Sequence, residues 1–383
     1  MLKLALLVNR SGCDYWRSYQ PAWTMAEKGL AEVRFIEARQ LTSKKVGSAL
    51  KWCDAVVARG LCGTDGLALM TEYQRHDRKV FIDYDDFFFD VSPFNPAYRH
   101  FGLEEVQAKN EETGQVDYLW QDGVDGFDIR RNEIKYHAFI DIVRNVDLLT
   151  CTTPYLKQKF AEIRGTEEGI EIVPNALNWK RWRPFPNARD HYQDGFRFGW
   201  AVSDSHGADL LFVRETIKKF LENHKDAKFV LIGDTHVDIS KYFPKEQLEW
   251  HAFSNLFEGH YAVKMGTLGL DVAIAPLADL EFNRCKSPLK YAEYTAFGWP
   301  IIAQKMLPYD DVIIHGETGL LAGSPDEWYA ALEQMYQSKE LRSRCHFGAS
   351  MLCKELFDLE KVSWAWAAAY KKALGQTTII GAK

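Results

Sequence analysis

The residues best equipped for chemistry fall in one stretch, from Ala275 to Pro300, which holds Arg284, Lys286, Ser287, Lys290 and Glu293. Ser287 is a favourable N-cap residue, and Pro288 suits a first helical position. Gly298 suits the position just past a helix C-terminus. The pattern predicts a helix over 288–297 whose N-terminus presents free N–H groups and the positive end of its dipole, a setting that holds phosphate. Arg284, Lys286 and Lys290 add full positive charges at the same place. Glu293 lies six residues past the cap, about 9 Å along the axis at ~1.5 Å per residue. That is the separation of a nucleotide's diphosphate from its ribose, and a carboxylate accepts two hydrogen bonds from a ribose diol. The same spacing also allows Lys290 and Glu293 to pair across one turn of a solvated helix.

A second set of candidates lies in the first half of the chain. The loop Arg10–Asp14 follows the apolar run Leu2–Val8, with Gly12 open to close backbone approach and Tyr15 and Arg17 able to contact an acceptor or a phosphate. Asp83, Asp85 and Asp86 crowd three carboxylates into four residues. Crowding of this kind raises a pKa and makes a proton acceptor or donor near neutral pH. The same trio could take a divalent metal, but no histidine supports it. Ser203 and His206 sit in the loop Val202–Gly207 and are candidates for contact with a bound phosphate. Tyr118, Trp120 and Phe127 could stack on a sugar or base, or simply anchor their own loop.

The elements that must position these residues alternate in type. Strands are expected at 2–8, 33–36, 55–58, 80–83, 148–151 and 170–173, with helices over about 15–29, 67–75, 129–145 and 154–163. Short apolar strands separated by helices mean a parallel sheet covered on both faces. The segment Pro174–Asn187 contains prolines at 174, 184 and 186 and interrupts the pattern. The alternation then restarts, with strands at 196–201, 228–232, 270–275 and 300–303 and helices near 208–222, 288–297 and 325–337. The expected organisation is a first doubly wound domain over 1–178 with an insertion near 100–130, a linker over 179–195, a second doubly wound domain over 196–357, and a C-terminal helix and tail over 358–383 that returns to the first domain. Ligands in such sheets sit beyond the carboxyl ends of the strands, so a cleft between the halves is the expected site.

The run from Phe282 to Gly319, with Lys286-Ser287, Lys290, Glu293-Tyr294, Gly298-x-Pro300 and His315-Gly316-Glu317-Thr318-Gly319-Leu320, resembles the donor-binding half of group 1 glycosyltransferases. Pro174-Asn175-Ala176, Phe198-Gly199-Trp200 and Asp271–Pro276 extend the resemblance. In the first half, Ser11–Arg17 and Asp83–Asp86 are similar to a branch found in bacterial and phage genomes. The resemblance implies a GT-B fold, two Rossmann-like domains facing across a cleft, and a retaining transfer of sugar from a nucleotide diphosphate sugar to an acceptor hydroxyl. It implies no required cofactor and no metal. Donor contacts would come from Ser203, His206, Arg284, Lys286, Ser287, Lys290 and Glu293, and acceptor or phosphate contacts from Gly12, Tyr15 and Arg17. Asp85, Asp86 and Asn283 are the catalytic candidates.

Two features depart from the family. The first of its two paired glutamates falls on Cys285, so that Glu281 or Asn283 would have to substitute. The loop Val202–Gly207 lacks the family's phosphate-binding Arg and Lys, a role that Arg284, Lys286 and Lys290 would take over.

Composition narrows the classes. The chain has 383 residues, 46% of them hydrophobic and 26% charged, which excludes a generally disordered or low-complexity protein. No run approaches the ~20 apolar residues of a membrane span, and the expected location is the cytoplasm. Seven cysteines without a CxxC pair argue against a disulfide framework or a structural zinc site. A net charge of −6 does not advertise a nucleic-acid binder, although a basic cleft leaves a modified DNA base among the acceptors, beside polysaccharide, glycolipid, protein and small metabolite. The competing functions are a nucleotide-sugar epimerase or hydrolase of the same fold, and a nucleotide-sugar-binding module without catalysis.

Overall fold

The computed structural model describes residues 1–37, 44–109, 114–182, 188–192, 195–233 and 239–376. Residues 183–187 and 193–194 of the expected linker, 110–113 of the expected insertion and 377–383 of the tail lie outside the described residues.

The first half contributes strands β1 (Leu2–Val8), β2 (Ala31–Glu37), β3 (Ala55–Arg59), β4 (Lys79–Tyr84), β5 (Val106–Lys109), β6 (Val116–Trp120), β7 (Leu148–Cys151) and β8 (Ile170–Ile172). Six of them form one sheet in the order β2-β1-β3-β4-β7-β8, with every neighbour parallel. The second half contributes β9 (Arg197–Ala201), β10 (Lys228–Ile232), β11 (Leu248–His251), β12 (Val272–Ala275), β13 (Ile301–Gln304) and β14 (Leu320–Ala322). They form a second parallel sheet in the order β11-β10-β9-β12-β13-β14, the dinucleotide-binding order. The fold is α/β, two Rossmann-like units.

Period-two alternation explains how the strands are buried on both faces. Leu2, Leu4, Leu6 and Val8 of β1 join one core, while Ala5 and Leu7 join the other. In the second sheet Phe198, Trp200, Phe229 and Leu231 face one side, and Val230, Ile232, Ala273 and Ala275 the other. Strand order reverses between β1 and β3 and again between β9 and β12, so each sheet opens a crevice at the carboxyl ends of those strands.

The helical segment after β1 is capped by Ser11, whose hydroxyl accepts from Asp14 N at 3.1 Å in a reciprocal capping box with the Asp14 carboxylate. Its middle, Tyr15–Tyr19, is wound as a π-helix before α-helix resumes over Gln20–Glu27. Tyr15 and Trp16 are buried in a cluster shared with Trp182, which follows the first crossing, and with Leu256 and Tyr261 of the other half. The insertion forms the antiparallel hairpin β5–β6. Trp120 Nε1 donates to Pro93 O at 2.7 Å, and Phe127 is fully buried, so both anchor the insertion, whereas Tyr118 is exposed.

The chain crosses between halves twice, and the crossings pair: Leu177 N donates to Phe357 O at 2.9 Å and Leu359 N to Leu177 O at 3.0 Å. The last helix, Leu359–Ala373, then packs on the first half. Tyr370 stacks on Phe81 at 5.3 Å between ring centres, and Trp366 lies over the Arg17 guanidinium at 4.7 Å.

Candidate functional site

The crevice of the second sheet is built around the end of β9. The helix Leu289–Ala296 presents Lys290 and Tyr294, one turn apart, to that strand. Lys290 Nζ donates to Ala201 O at 2.6 Å, and Ala201 N donates to the Tyr294 hydroxyl at 3.0 Å. Glu293 is buried at 6% exposure and makes no hydrogen bond to a described residue. Burial pushes its carboxyl up to about 7, with the Lys290 charge opposing. Burial likewise lowers Lys290 to about 8, opposed by Glu293 and assisted by Lys286.

The helix starts one residue later than its capping signals predict. Pro288 occupies the N-cap position without a side-chain cap, and Leu289 is the first helical residue. Ser287 faces the other half of the molecule, where its hydroxyl accepts from Asn175 Nδ2 at 2.7 Å. Gly298 closes the helix as expected, at φ +85°.

Asp209, which sequence reasoning passed over, organises the loops at this crevice. It lies in the first turn of the helix Gly207–Asn223 and is 1% exposed. One carboxylate oxygen accepts from Ala278 N and Asn283 Nδ2, each at 2.7 Å, and the other pairs with His206 Nδ1 at 2.7 Å. Asn283 also donates to Ala278 O at 2.9 Å, so both its amide hydrogens are committed to the loop after β12. Burial lowers His206 to about 4, leaving it neutral beside Trp200. With Asp209 saturated, the Lys286 ammonium stands 3.9 Å from its carboxylate; it is shielded from solvent and has no hydrogen-bond partner among the described residues. Arg284 turns away to pair with Asp279. Ser203 is exposed, 2.8 Å from the Ser205 hydroxyl. Gly233 ends β10 at φ +112°, where a Cβ would meet Val202 O at 2.1 Å; only glycine lets these two loops close on one another.

Across the cleft, the first sheet brings Asp83, Asp85 and Asp86 to the end of β4 and gives them different surroundings. Asp83 is 2% exposed and held bidentately by Arg17, Nη2 to Oδ1 at 2.7 Å and Nε to Oδ2 at 2.9 Å. Thr150 Oγ1 adds a bond to Asp83 at 2.6 Å. Arg17 is thus consumed inside the protein, its Nη1 donating to Val173 O and Asn175 Oδ1. Tyr15 is likewise core, at 1% exposure. Gly12 opens its helix, and an added Cβ would only touch Leu256 at 3.6 Å, so close backbone approach does not explain it.

Asp85 pairs with Arg59 at 3.1 Å, and Arg59 also holds Asp14 and the Ser11 hydroxyl. Arg59, at the end of β3, was absent from the sequence candidates; its signal is a guanidinium following the apolar run Ala55–Ala58. Asp86 makes no hydrogen bond or close ion pair to a described residue. Burial and the Asp85 charge push it up to about 7, while Lys286 from the opposite half and Arg59 pull it down. Among the described residues no group of three or more His, Cys, Asp or Glu is placed to hold a metal ion.

The segment 281–285 docks on the first half. Tyr155 OH donates to Glu281 Oε1 at 2.7 Å, and Lys159 pairs with the same carboxylate. Phe282 joins Val91, Tyr98 and Phe127, and Cys285 sits among Tyr84, Phe87 and Phe160. Burial pushes the Cys285 thiol up to about 12. Neither Glu281 nor Asn283 is left free to replace a carboxylate at position 285.

Residues 203–338 match the family described as glycosyl transferases group 1. No curated protein matches the chain by sequence. Among solved structures, HepE from Anabaena in complex with UDP aligns over 97% of this chain and 100% of its own, with TM-score 0.65 and 13% identity. Sucrose-phosphate synthase from Thermosynechococcus elongatus aligns over 98% of this chain and 100% of its own, with TM-score 0.65 and 13% identity. A glycosyltransferase from Rickettsia africae covers 98% of this chain and 99% of its own, with TM-score 0.65 and 12% identity. At these identities the likeness is one of fold, that of two Rossmann-like halves facing across a cleft, GT-B.

Proposed function

We propose that this chain, whose residues 203–338 match group 1 glycosyl transferases, is a retaining glycosyltransferase that moves a sugar from a nucleotide diphosphate sugar to an acceptor hydroxyl. In this reading 1–178 is the acceptor half, 179–195 the linker and 196–357 the donor half. The observation that carries it is the Lys286 ammonium, buried in the cleft with no hydrogen-bond partner beside a saturated Asp209. A shielded ammonium whose only counter-charge is 3.9 Å away and which makes no hydrogen bond is costly, and an anionic ligand relieves that cost.

The diphosphate lies against Lys286 and the uncapped start of the helix Leu289–Ala296, whose dipole favours negative charge. Glu293 accepts the ribose hydroxyls. As the bond between the anomeric carbon and the diphosphate oxygen breaks, Lys286 meets the charge developing on the leaving group. The acceptor oxygen bonds the anomeric carbon from the same face, and its proton passes to Asp86, a carboxyl held near 7. Asp85 steadies that site through Arg59, and Asn283 through Asp209. Retention rests on the resemblance of the motif around Lys286–Gly319 to retaining enzymes. HepE has been solved with UDP-glucose, so UDP-sugars are the first donors to test.

Lys286 and the helix dipole meet the charge of the diphosphate, and Asp83 and Asp85 are already committed to Arg17 and Arg59. Transfer should therefore proceed at nearly the same rate in EDTA, and proton NMR of fresh product should show the donor's anomeric configuration. The acceptor screen spans polysaccharide, glycolipid, protein and modified DNA base. Rapid consumption of donor without acceptor would identify an epimerase or hydrolase instead, and a rate that collapses in EDTA and returns with magnesium would overturn the metal-free reaction.

A further inference from the structure

We infer that Asn175 is a positioning residue that turns the Ser287 hydroxyl into a hydrogen-bond donor for the diphosphate of the donor substrate, an inference that rests on the function proposed above. Asn175 lies on the crossing segment between the halves and is 7% exposed. Its Oδ1 accepts from Arg17 Nη1 at 3.2 Å, and its Nδ2 donates to Ser287 Oγ at 2.7 Å.

The orientation of that amide is forced. A guanidinium only donates, so the oxygen of Asn175 must face Arg17. Arg17 itself cannot turn, because Asp83 grips it bidentately and Val173 O takes a third bond at 2.7 Å. The NH2 group of Asn175 is therefore left for Ser287, and Ser287 must accept. A hydroxyl that spends a lone pair in this way keeps its own hydrogen free to donate elsewhere. Ser287 stands between Lys286, whose ammonium makes no hydrogen bond to a described residue, and the uncapped start of the helix Leu289–Ala296. The hydrogen is thus available where the anion binds, and Asp83, Arg17, Asn175 and Ser287 form one polarised line from the first sheet into the donor helix.

Asn175→Asp tests this with almost no change of shape. An aspartate still accepts from Arg17, but it offers Ser287 only an acceptor, so the serine hydrogen turns back to residue 175 and away from the ligand. Calorimetric titration with UDP should show affinity lower by about tenfold or more, as for a lost hydrogen bond to a charged group. Affinity for uridine, which has no phosphate, should stay unchanged. The added charge also repels UDP, and the Ser287→Ala background separates the two effects. There, Asn175→Asp should cost about threefold or less, because no hydroxyl remains to be turned.

Equal losses in both backgrounds would assign the whole effect to charge and overturn the inference, as would an unchanged UDP affinity in the single variant. Should Asn175→Asp fail to fold, Ser287→Ala decides: weaker UDP binding with uridine unaffected supports the hydroxyl's role, and equal UDP affinity overturns it. A wild-type protein that binds no nucleoside diphosphate would instead overturn the proposed function and this inference together.

Discussion

At the scale of single residues, the charges in the cleft separate into those the protein satisfies and those it leaves for a ligand. Arg17, Arg59, Asp83, Asp85 and Arg284 have ionic partners and Asp209 is filled by hydrogen bonds, whereas Lys286, Glu293 and Asp86 lack hydrogen bonds to described residues. Lys286→Ala should therefore weaken UDP binding by about 10–150-fold, the range for a hydrogen bond to a charged group, and leave uridine binding alone. Arg284→Ala should do far less, since its partner is Asp279; equal losses in a calorimetric comparison would mean that Arg284 swings into the site. Glu293 gives a pH signature. Its carboxyl is raised from 4.5 to about 7, so at pH 6 it is largely protonated in the free protein. Ribose hydroxyls bond best to the ionised form, so binding there expels a proton, and affinity for uridine rises with pH up to about 7. Titrations in two buffers of different ionisation enthalpy should report that proton at pH 6, and Glu293→Gln should abolish it. Lys290, lowered to about 8, is already charged at pH 6 and does not confuse the measurement.

At the scale of elements, the helix Leu359–Ala373 follows the whole second half in sequence yet packs against the first. Its Trp366 is 1% exposed and covers the Arg17 guanidinium. Trp366→Ala removes both packing and cation–π contact and should destabilise the chain by about 3–5 kcal/mol in urea unfolding, the usual cost of truncating a buried aromatic. A loss under about 1 kcal/mol would show the helix to be dispensable to the core. Some elements escaped the sequence reading for identifiable reasons. β11 reads Leu-Glu-Trp-His, without an apolar run, and is a strand because β10 offers it an edge. The helix Lys339–Leu356 buries Cys345, Ala349 and Cys353 at four-residue spacing, a stripe too small and weakly apolar to stand out. Two of its cysteines serve as core residues, the plain reading of a buried thiol.

At the scale of the whole molecule, the halves meet through a clasp that adjoins the proposed donor site. Glu281, Phe282 and Cys285 dock on the first half, and Lys286 and Ser287 follow at once. The docking of the halves and the placement of Lys286 and Ser287 therefore share one run of seven residues, Glu281–Ser287. This accounts for the cysteine at position 285, where the resemblance to group 1 glycosyltransferases leads one to expect a glutamate: a small apolar side chain suits the core cluster that holds Tyr84, Phe87 and Phe160.

The sequence by itself determined the parallel α/β class and the two-sheet organisation, and it singled out the stretch around Lys286 and Glu293 as the candidate site. These depend on local periodicity, capping and spacing, which are properties of contiguous residues. Which charges are free was decided only by the tertiary structure. Arg17 and Lys286 are both cations at loop–helix junctions, and the sequence offers no reason to rank them. Folding places Asp83 from β4 against Arg17, and it fills the Asp209 carboxylate with hydrogen bonds while leaving Lys286 3.9 Å away. The partners lie 66 residues apart for Arg17 and Asp83, and 74 for Asp209 and Asn283. Pairings at that separation depend on strand order and helix crossing, which no local pattern encodes.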